Sequence, residues 1–236
     1  MKRAVLPALA SAWMGLVGCA PAAAPPSAGA AALAEPGGTF YLALGASDAA
    51  GIGAEPVTDG YVFRIQEALE ERLGEAPLAN LGLPGAGIEA IAASLDAFLE
   101  ARTRPDVVTL WTGPNDLIRG DDPAAFEAEL AQILGRLRAE TDALVVIANV
   151  PDLTQLPRFR AYQGPARDPV LARIGAFNAA IRRQAERFDV VLVDLFAYPI
   201  EDELVSRADG FHPSNDGHRR LAEVFLAEIL PRLGAA

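Results

Sequence analysis

Cysteine, histidine and lysine are scarce in this chain, which contains one cysteine, two histidines and a single lysine, Lys2. A lone cysteine has no second thiol in the chain with which to form a disulfide. A zinc site needs three or four nitrogen, sulfur or oxygen ligands, which His and Cys usually supply. We therefore expect neither a disulfide framework nor a metal site.

Basic residues are also in the minority, with 20 Lys and Arg against 31 Asp and Glu, and the formal net charge is -11. An acidic surface argues against nucleic acid as a partner and against electrostatic docking on anionic lipid. The hydrophobic fraction of 51% and the charged fraction of 22% are typical of a globular protein. The length suits one domain with a sizeable core, and we expect a monomer that acts on a small molecule.

The apolar run near the start of the chain is too short to span a bilayer, which takes about 20 helical residues. This run, Ala4–Val17, follows the basic residues Lys2 and Arg3. A basic start and a short apolar run are typical of a secretory signal peptide. We therefore assign residues 1–18 as a signal peptide and expect an exported protein.

The end of this segment, Leu16-Val17-Gly18-Cys19, resembles the lipobox of bacterial lipoproteins. The resemblance implies cleavage before Cys19 and acyl chains on Cys19 that anchor the protein to a membrane of the cell envelope. By the sorting rules of such lipoproteins, the Ala that follows indicates the outer membrane or periplasm in a Gram-negative cell, and otherwise the outer face of the cell membrane. The alternative is an ordinary signal peptide with an incidental cysteine. Residues 19–38, rich in Pro, Ala and Gly, are typical of a flexible tether.

Residues 39–236 alternate between short apolar runs and segments whose apolar residues recur at helical spacing. The predicted strands are Phe40–Leu44, Leu78–Leu81, Val107–Trp111, Ala143–Val150 and Val190–Val193, and the predicted helices are Asp59–Leu73, Ile88–Leu99, one opened by Asp122 and Pro123, Val170–Phe188 and Ser214–Leu233. Strands separated by helices imply a parallel sheet covered on both faces. We predict an α/β fold, a three-layer α/β/α sandwich whose five-stranded parallel sheet has its fourth strand as the longest and central one.

Polar residues follow several of these strands, at the edge where ligands bind in open α/β sheets. The four stretches are Gly45-Ala46-Ser47-Asp48, Gly82-Leu83-Pro84-Gly85-Ala86-Gly87, Thr112-Gly113-Pro114-Asn115-Asp116 and Asp209-Gly210-Phe211-His212-Pro213. Acyl transfer needs a hydroxyl nucleophile with an adjacent base, an acceptor that orients the base, and fixed N–H donors for the oxyanion. The four stretches supply a serine, an Asp/His pair, glycines and an amide.

These stretches resemble the conserved blocks of the SGNH (GDSL) hydrolase family over nearly the whole domain. The resemblance implies a flavodoxin-like SGNH hydrolase fold and a serine esterase that uses no cofactor. It implies Ser47 as nucleophile, His212 as general base and Asp209 as the acid that holds His212. It also implies an oxyanion hole formed by the N–H groups of Ser47 and Gly85 and by the amide of Asn115. Small-molecule, lipid or carbohydrate esters are the expected substrates.

The nucleophile block departs from the family pattern, because Ala46 replaces the usual Asp of Gly-Asp-Ser. That Asp is not the triad acid, so the departure bears on local hydrogen bonding and rate rather than on reaction class. Asp48 is the candidate to supply the missing hydrogen bonds. We expect Asp116 to have a supporting role and His218, beside two arginines, to lie on a solvated helix face. The group from Phe159 to Tyr162 either forms a lid or packs against the domain.

Two other enzyme classes with alternating strands and helices fit this sequence less well. A dinucleotide-binding enzyme would need Gly-x-Gly-x-x-Gly, and the glycines at 82, 85 and 87 have a different spacing. An α/β-hydrolase would need Gly-x-Ser-x-Gly, whose last position here is Ala49. Two alternatives to a hydrolase stay open: an acyltransferase that uses the same triad, and a non-catalytic envelope binding protein that keeps the fold.

Overall fold

The computed structural model describes residues 38–101 and 103–233. The signal peptide, Cys19 and most of the tether predicted from the sequence lie outside the described residues. Within the described part, no helix combines the length and the apolarity that crossing a membrane requires. Among the same residues, no three His, Cys, Asp or Glu side chains are grouped so that they could hold a metal ion.

Five parallel strands form one sheet in the order β2-β1-β3-β4-β5. The strands are β1 (Tyr41–Gly45), β2 (Leu78–Gly82), β3 (Val107–Trp111), β4 (Leu144–Ala148) and β5 (Val191–Val193). The prediction of a five-stranded parallel sheet is confirmed. The placing of the fourth strand is wrong, because β3 holds the centre and β4 is no longer than β1, β2 or β3.

Six α-helices connect and follow these strands among the described residues. They are α1 (Tyr61–Leu73), α2 (Ile88–Glu100), α3 (Pro114–Arg119), α4 (Pro123–Glu140), α5 (Arg167–Arg187) and α6 (Asn215–Leu233). The predicted start of α4 is confirmed, since the Asp122 side chain accepts a hydrogen bond from the N–H of Ala124 and Pro123 occupies the first turn. The short α3 was not predicted.

Alternate strand residues point to opposite faces of the sheet and create two cores. On one face Leu42, Val108 and Ile147 belong to the apolar core shared with α2, α4 and α5. On the other face Tyr41 and Val146 pack with residues of α1 and α6. Helices thus cover both faces, as the three-layer sandwich requires.

The prediction for His218 is wrong, because its side chain is fully buried on α6 rather than solvated. The ring stacks on Tyr61, with centroids 6.2 Å apart. Its Nδ1 accepts a hydrogen bond from the N–H of Tyr61, and its Nε2 donates to the carbonyl of Ile52. The adjacent arginines suggested a polar helix face, but successive helical residues point in different directions, and this one points inward.

Candidate active site

Ser47, His212 and Asp209 form a hydrogen-bonded chain at the carboxyl edge of the sheet. Nε2 of His212 lies 2.9 Å from Oγ of Ser47, although 165 positions separate the two residues, and Nδ1 lies 2.5 Å from Oδ2 of Asp209. Since Nδ1 faces a carboxylate, it carries the ring proton, which leaves Nε2 to accept from the serine hydroxyl. The three side chains that the sequence singled out are therefore in hydrogen-bond contact.

Ser47 occupies a tight turn directly after β1, and its side chain is almost completely buried. Within the turn, the N–H of Ile52 donates to the carbonyl of Ser47 and the N–H of Gly51 donates to the carbonyl of Asp48. The end of β2 presses against this turn at Gly82, where an added Cβ would lie 2.3 Å from the nitrogen of Ala50. Only glycine permits this approach, which fixes the turn between two strand ends.

The side-chain support of the nucleophile turn comes from Asn80 on β2. Its Nδ2 donates to the carbonyl of Ala49, and its Oδ1 accepts from the N–H of Gly82. Asn80 therefore supplies support for which the sequence offered Asp48 as a candidate, and Asp48 lines two pockets. In the sequence, Asn80 stands two residues before Gly82, the first residue of the glycine-containing stretch.

Asp209 is held by hydrogen bonds from its own loop as well as by the imidazole. Its Oδ1 accepts from the backbone N–H groups of Phe211 and His212, at 2.9 and 3.0 Å. Burial alone raises the pKa of this carboxyl, but the hydrogen bonds from the His212 ring and from the two N–H groups outweigh burial and lower the pKa below its ordinary value. Asp209 therefore stays ionised beside the imidazole.

The loop that carries Asp209 and His212 is docked from two sides. Gly53, with a φ of 98°, lies so close that an added Cβ would be 2.2 Å from the carbonyl oxygen of Pro213. On the other side the ring of Phe159 packs edge-on against Phe211, and Tyr162 packs against Phe159. The aromatic group from Phe159 to Tyr162 thus packs against the loop of the candidate base.

Asn115 and Gly85 lie on neighbouring loops at the same edge of the sheet. Asn115 is in the first turn of α3, directly after β3, and its Nδ2 donates to the carbonyl of Ala86 at 2.8 Å. Gly85 is the third residue of a turn closed by the N–H of Ala86 and the carbonyl of Leu83. Its φ of 78° favours glycine at this position. The hydrogen bond to Ala86 therefore ties the two candidate oxyanion-hole elements together.

Asp116 supports these two loops, as the sequence analysis expected. The buried carboxyl accepts from the N–H of Ile88, at the start of α2, and from Nη2 of Arg119. Burial raises the pKa of Asp116 above its ordinary value, although these two contacts act in the opposite direction. Asp116 thereby connects α2 and α3 beneath the turn that contains Gly85.

An apolar cavity of about 110 Å³ opens beside the triad. Its wall combines proline, leucine and valine side chains from the loops after β4 and β5 with Leu221 and Val224 of α6. Asp48, Phe211 and Pro213, which flank Ser47 and His212 in the sequence, complete the wall. The cavity is therefore lined by residues that adjoin Ser47 and His212 in the sequence.

A second, much smaller pocket of about 10 Å³ lies at the end of β3. Ala46, Asp48, Ala86 and Asn115 line it, so it adjoins both the nucleophile turn and the loops of the candidate oxyanion hole. Its volume is close to that of a single water-sized group. This pocket was not predicted from the sequence.

Comparisons with known proteins connect this geometry with ester hydrolysis. A model of the GDSL-like Lipase/Acylhydrolase family matches residues 43–220. Among curated proteins, Esterase TesA of Pseudomonas aeruginosa is 28% identical over 193 residues, which cover 81% of this chain and 88% of the esterase.

Solved structures share the fold over most of the chain. A crystal structure of TesA has a TM-score of 0.67 at 26% identity, covering 82% of this chain and 99% of that one. The psychrotrophic esterase EstA from Pseudoalteromonas sp. has a TM-score of 0.66 at 20% identity, covering 83% and 99%. The lipase/acylhydrolase from Enterococcus faecalis has a TM-score of 0.63 at 24% identity, covering 82% and 96%. The α/β/α architecture around the triad is thus that of solved SGNH hydrolases.

Proposed function

Because the chain belongs to the GDSL-like lipase/acylhydrolase family, whose members hydrolyse esters, we propose that it is a serine esterase working through an acyl-enzyme intermediate on Ser47. The observation that carries the proposal is the hydrogen-bonded chain from Ser47 through His212 to Asp209. A serine hydroxyl is a weak nucleophile on its own, and this chain provides the base that activates it.

In the first half of the reaction, Oγ of Ser47 attacks the ester carbonyl carbon while Nε2 of His212 takes the hydroxyl proton. The C–O bond to the alcohol then breaks, and the imidazolium returns this proton to the departing alkoxide. Asp209 stabilises the imidazolium through its bond to Nδ1. In the second half, His212 takes a proton from water, hydroxide adds to the acyl carbon, and Ser47 leaves with the proton restored.

We assign the oxyanion hole to the N–H groups of Ser47 and Gly85 and to the amide of Asn115. An amide nitrogen carries two hydrogens, and the bond to Ala86 engages one of them while orienting the group. The second hydrogen is the donor that we assign to the oxyanion. A donor held in advance by the fold needs no reorganisation when charge develops on the substrate oxygen.

The apolar cavity beside the triad suits the acyl part of the substrate. An apolar cavity of about 150 Å³ holds a group the size of benzene, so one of about 110 Å³ suits an acyl chain of a few carbons. Short-chain acyl esters are therefore the substrate class that we propose.

We further propose that the enzyme works in the bacterial cell envelope, anchored through acyl chains on Cys19. The basic, apolar and small-residue pattern of residues 1–18 supports export, and the lipobox-like end at Cys19 supports the anchor. The chain enters the domain at the amino end of β1, whereas Ser47 follows its carboxyl end.

The test is the hydrolysis of p-nitrophenyl butyrate by the domain from residue 39 onward and by its Ser47→Ala variant. We expect the variant to lose a factor of about 10⁴ or more in kcat while keeping its circular dichroism spectrum. Ser94→Ala on the exposed face of α2 is the matched control and keeps full activity. Equal rates for wild type and Ser47→Ala would remove the basis of the triad assignment. Product analysis with an added acceptor alcohol separates hydrolysis from acyl transfer.

A further inference from the structure

In the nucleophile block of this chain, the acidic residue follows the serine, whereas in the family motif it precedes the serine. The letters of the family's name, GDSL, stand for Gly-Asp-Ser-Leu, and this chain has Gly45-Ala46-Ser47-Asp48. The acid before the serine is replaced by Ala, and an acid stands where the motif has Leu. The side-chain hydrogen bonds that support the turn come from Asn80 rather than from Asp48.

Asp48 stands where the apolar cavity meets the small pocket. Four residues, Asp48, Trp111, Pro114 and Phe211, line both spaces, so they lie between them. The other charged side chain on the wall of the cavity, Arg220, is held over the ring of Tyr198 and by a salt bridge to an acidic neighbour on α6. Asp48 is thus the acidic residue on the wall of an otherwise largely apolar space.

The small pocket beside Asp48 is lined mainly by apolar atoms but includes residues with buried polar groups. Nε1 of Trp111 and Oγ1 of Thr112 belong to residues that line it, and both are buried polar atoms without a hydrogen-bond partner among the described residues. Trp111 is 8% exposed and Thr112 is 4% exposed. Buried polar groups are nearly always hydrogen-bonded, so unpartnered ones mark a place where a ligand atom or a water is expected. The volume of about 10 Å³ limits the occupant to one small group.

An acyl chain that fills the cavity changes the surroundings of Asp48. Burial raises the pKa of its carboxyl to about 6, so the group is ionised at pH 8, where esterases of this kind are conveniently assayed. A plain hydrocarbon chain in the cavity offers this buried carboxylate no hydrogen bond, which leaves its burial uncompensated. A chain with a hydroxyl group near the carbonyl supplies a hydrogen bond. A site built around a substrate hydroxyl discriminates strongly against the analogue that lacks it.

We propose that Asp48 is a specificity-determining residue that accepts a hydrogen bond from a hydroxyl group at carbon 2 or 3 of the acyl chain. The small pocket holds this hydroxyl, and the apolar cavity holds the rest of the chain. The enzyme therefore prefers short hydroxyacyl esters to the corresponding plain acyl esters. This inference rests on the proposed function, since it assigns substrate groups to places around Ser47.

A hydroxyl is favoured over an ammonium group as the partner of Asp48. Placing an ammonium there would take a second charge out of water next to the imidazole, which becomes positive during the reaction. A neutral hydroxyl avoids that cost and still forms a charge-assisted hydrogen bond. A charge-assisted hydrogen bond of this kind corresponds to a kcat/KM about 10- to 100-fold higher for the hydroxyacyl ester than for the plain acyl ester.

The experiment compares p-nitrophenyl butyrate with its 2-hydroxy and 3-hydroxy analogues, each as both enantiomers, at pH 8. Each kcat/KM is divided by the rate constant for hydroxide-catalysed hydrolysis of the same ester, because a hydroxyl group changes the intrinsic reactivity. For the wild type we expect at least one hydroxy ester to exceed butyrate by about 10-fold or more. In Asp48→Leu, which restores the motif residue, the ratio falls to about one because the acceptor of the substrate hydroxyl is gone.

Two controls keep the result interpretable. Glu67→Gln removes an exposed carboxyl on α1 and leaves the ratio at the wild-type value. Asp48→Asn keeps the size and one acceptor oxygen but not the charge, so its ratio lies between those of the wild type and Asp48→Leu. If Asp48→Leu does not fold, Asp48→Asn provides the test in its place. A wild type without preference for either hydroxy ester, or the same ratio in both Asp48 variants as in the wild type, overturns the proposal. Neither result touches the proposed function, which fails if the wild type and Ser47→Ala hydrolyse butyrate at equal rates.

Discussion

The two carboxyl groups nearest to His212 have opposite pKa shifts, and their hydrogen bonds explain the difference. Burial acts on both groups, but Asp209 accepts hydrogen bonds from the imidazole and from two backbone N–H groups, which lower its pKa overall. Burial dominates at Asp48, where the attraction of His212 and a backbone hydrogen bond only partly oppose it, and the pKa rises to about 6. The fold therefore stabilises the ionised form of Asp209 and destabilises the ionised form of Asp48.

Replacing Asp48 by Asn is expected to stabilise the folded protein at neutral and alkaline pH. With its pKa raised in the folded state, Asp48 binds a proton more readily there than in the unfolded chain. The wild type therefore loses stability as the pH rises from about 4 through about 6. We expect Asp48→Asn to raise the free energy of unfolding by about 1–3 kcal/mol at pH 8 and by much less at pH 4.5. Urea unfolding at both pH values measures this, and a pH-independent difference would contradict it.

Removing the amide of Asn115 is expected to slow the chemical step. The donor that we assign to the oxyanion acts mainly in the transition state, so Asn115→Ala should lower kcat by about 10²- to 10³-fold and change KM little. Since this amide also holds Ala86, thermal unfolding of the variant is measured in parallel. A change confined to KM would show that the residue only binds substrate.

At the scale of elements, α6 is fixed by a histidine that bonds two backbone groups. His218 accepts from the first residue of α1 and donates to Ile52, which follows the nucleophile turn. One ring thus connects α6, α1 and the segment that leads away from Ser47. Burial is the main cause of a lowered pKa for His218, so the ring stays neutral in the fold.

His218→Ala is expected to destabilise the fold by about 2–4 kcal/mol at pH 8, because it leaves buried backbone groups unpaired and creates a cavity. The unfolded chain protonates this histidine below about pH 6.5, whereas the folded state resists protonation. The wild type therefore loses this contribution as the pH falls, and the difference from the variant shrinks at pH 5. Urea unfolding at both pH values tests this.

His212→Ala is the matched control for this prediction. Its ring lies at the active-site surface with a side-chain exposure of 18%, against 0% exposure for His218. We expect His212→Ala to abolish esterase activity with a much smaller loss of stability. Similar stability losses in both variants would refute the assignment of His218 as the structural histidine.

At the scale of the whole molecule, the candidate active site lies at the point where the strand order reverses. In the order β2-β1-β3-β4-β5, the connections after β1 and β3 leave in opposite directions, and a crevice forms between these neighbouring strands. Ser47 follows β1 and Asn115 follows the neighbouring β3. The topology therefore brings together residues that lie far apart in the chain.

Localisation is a property of the whole chain, and Cys19→Ser tests it. We expect the full-length protein, produced with its own first residues in a bacterial host, to fractionate with membranes and to incorporate radiolabelled palmitate. The Cys19→Ser variant should lose the label and appear in the soluble fraction with unchanged kcat/KM on p-nitrophenyl butyrate, because acyl chains are its only proposed anchor. Labelling that persists in the variant would exclude Cys19 as the acylated residue.

The sequence alone determined the layer architecture, the number of strands and the identity of the three residues in the hydrogen-bonded chain. Apolar periodicity specifies which segments are buried strands, and parallel strands place their carboxyl ends at one edge, so polar residues after strands can be identified by position. Only the tertiary structure decided which strand is central, that His218 is buried, that Asn80 supports the nucleophile turn, and that Asp48 lies between two pockets. These features depend on packing between segments far apart in the chain, which local patterns do not encode.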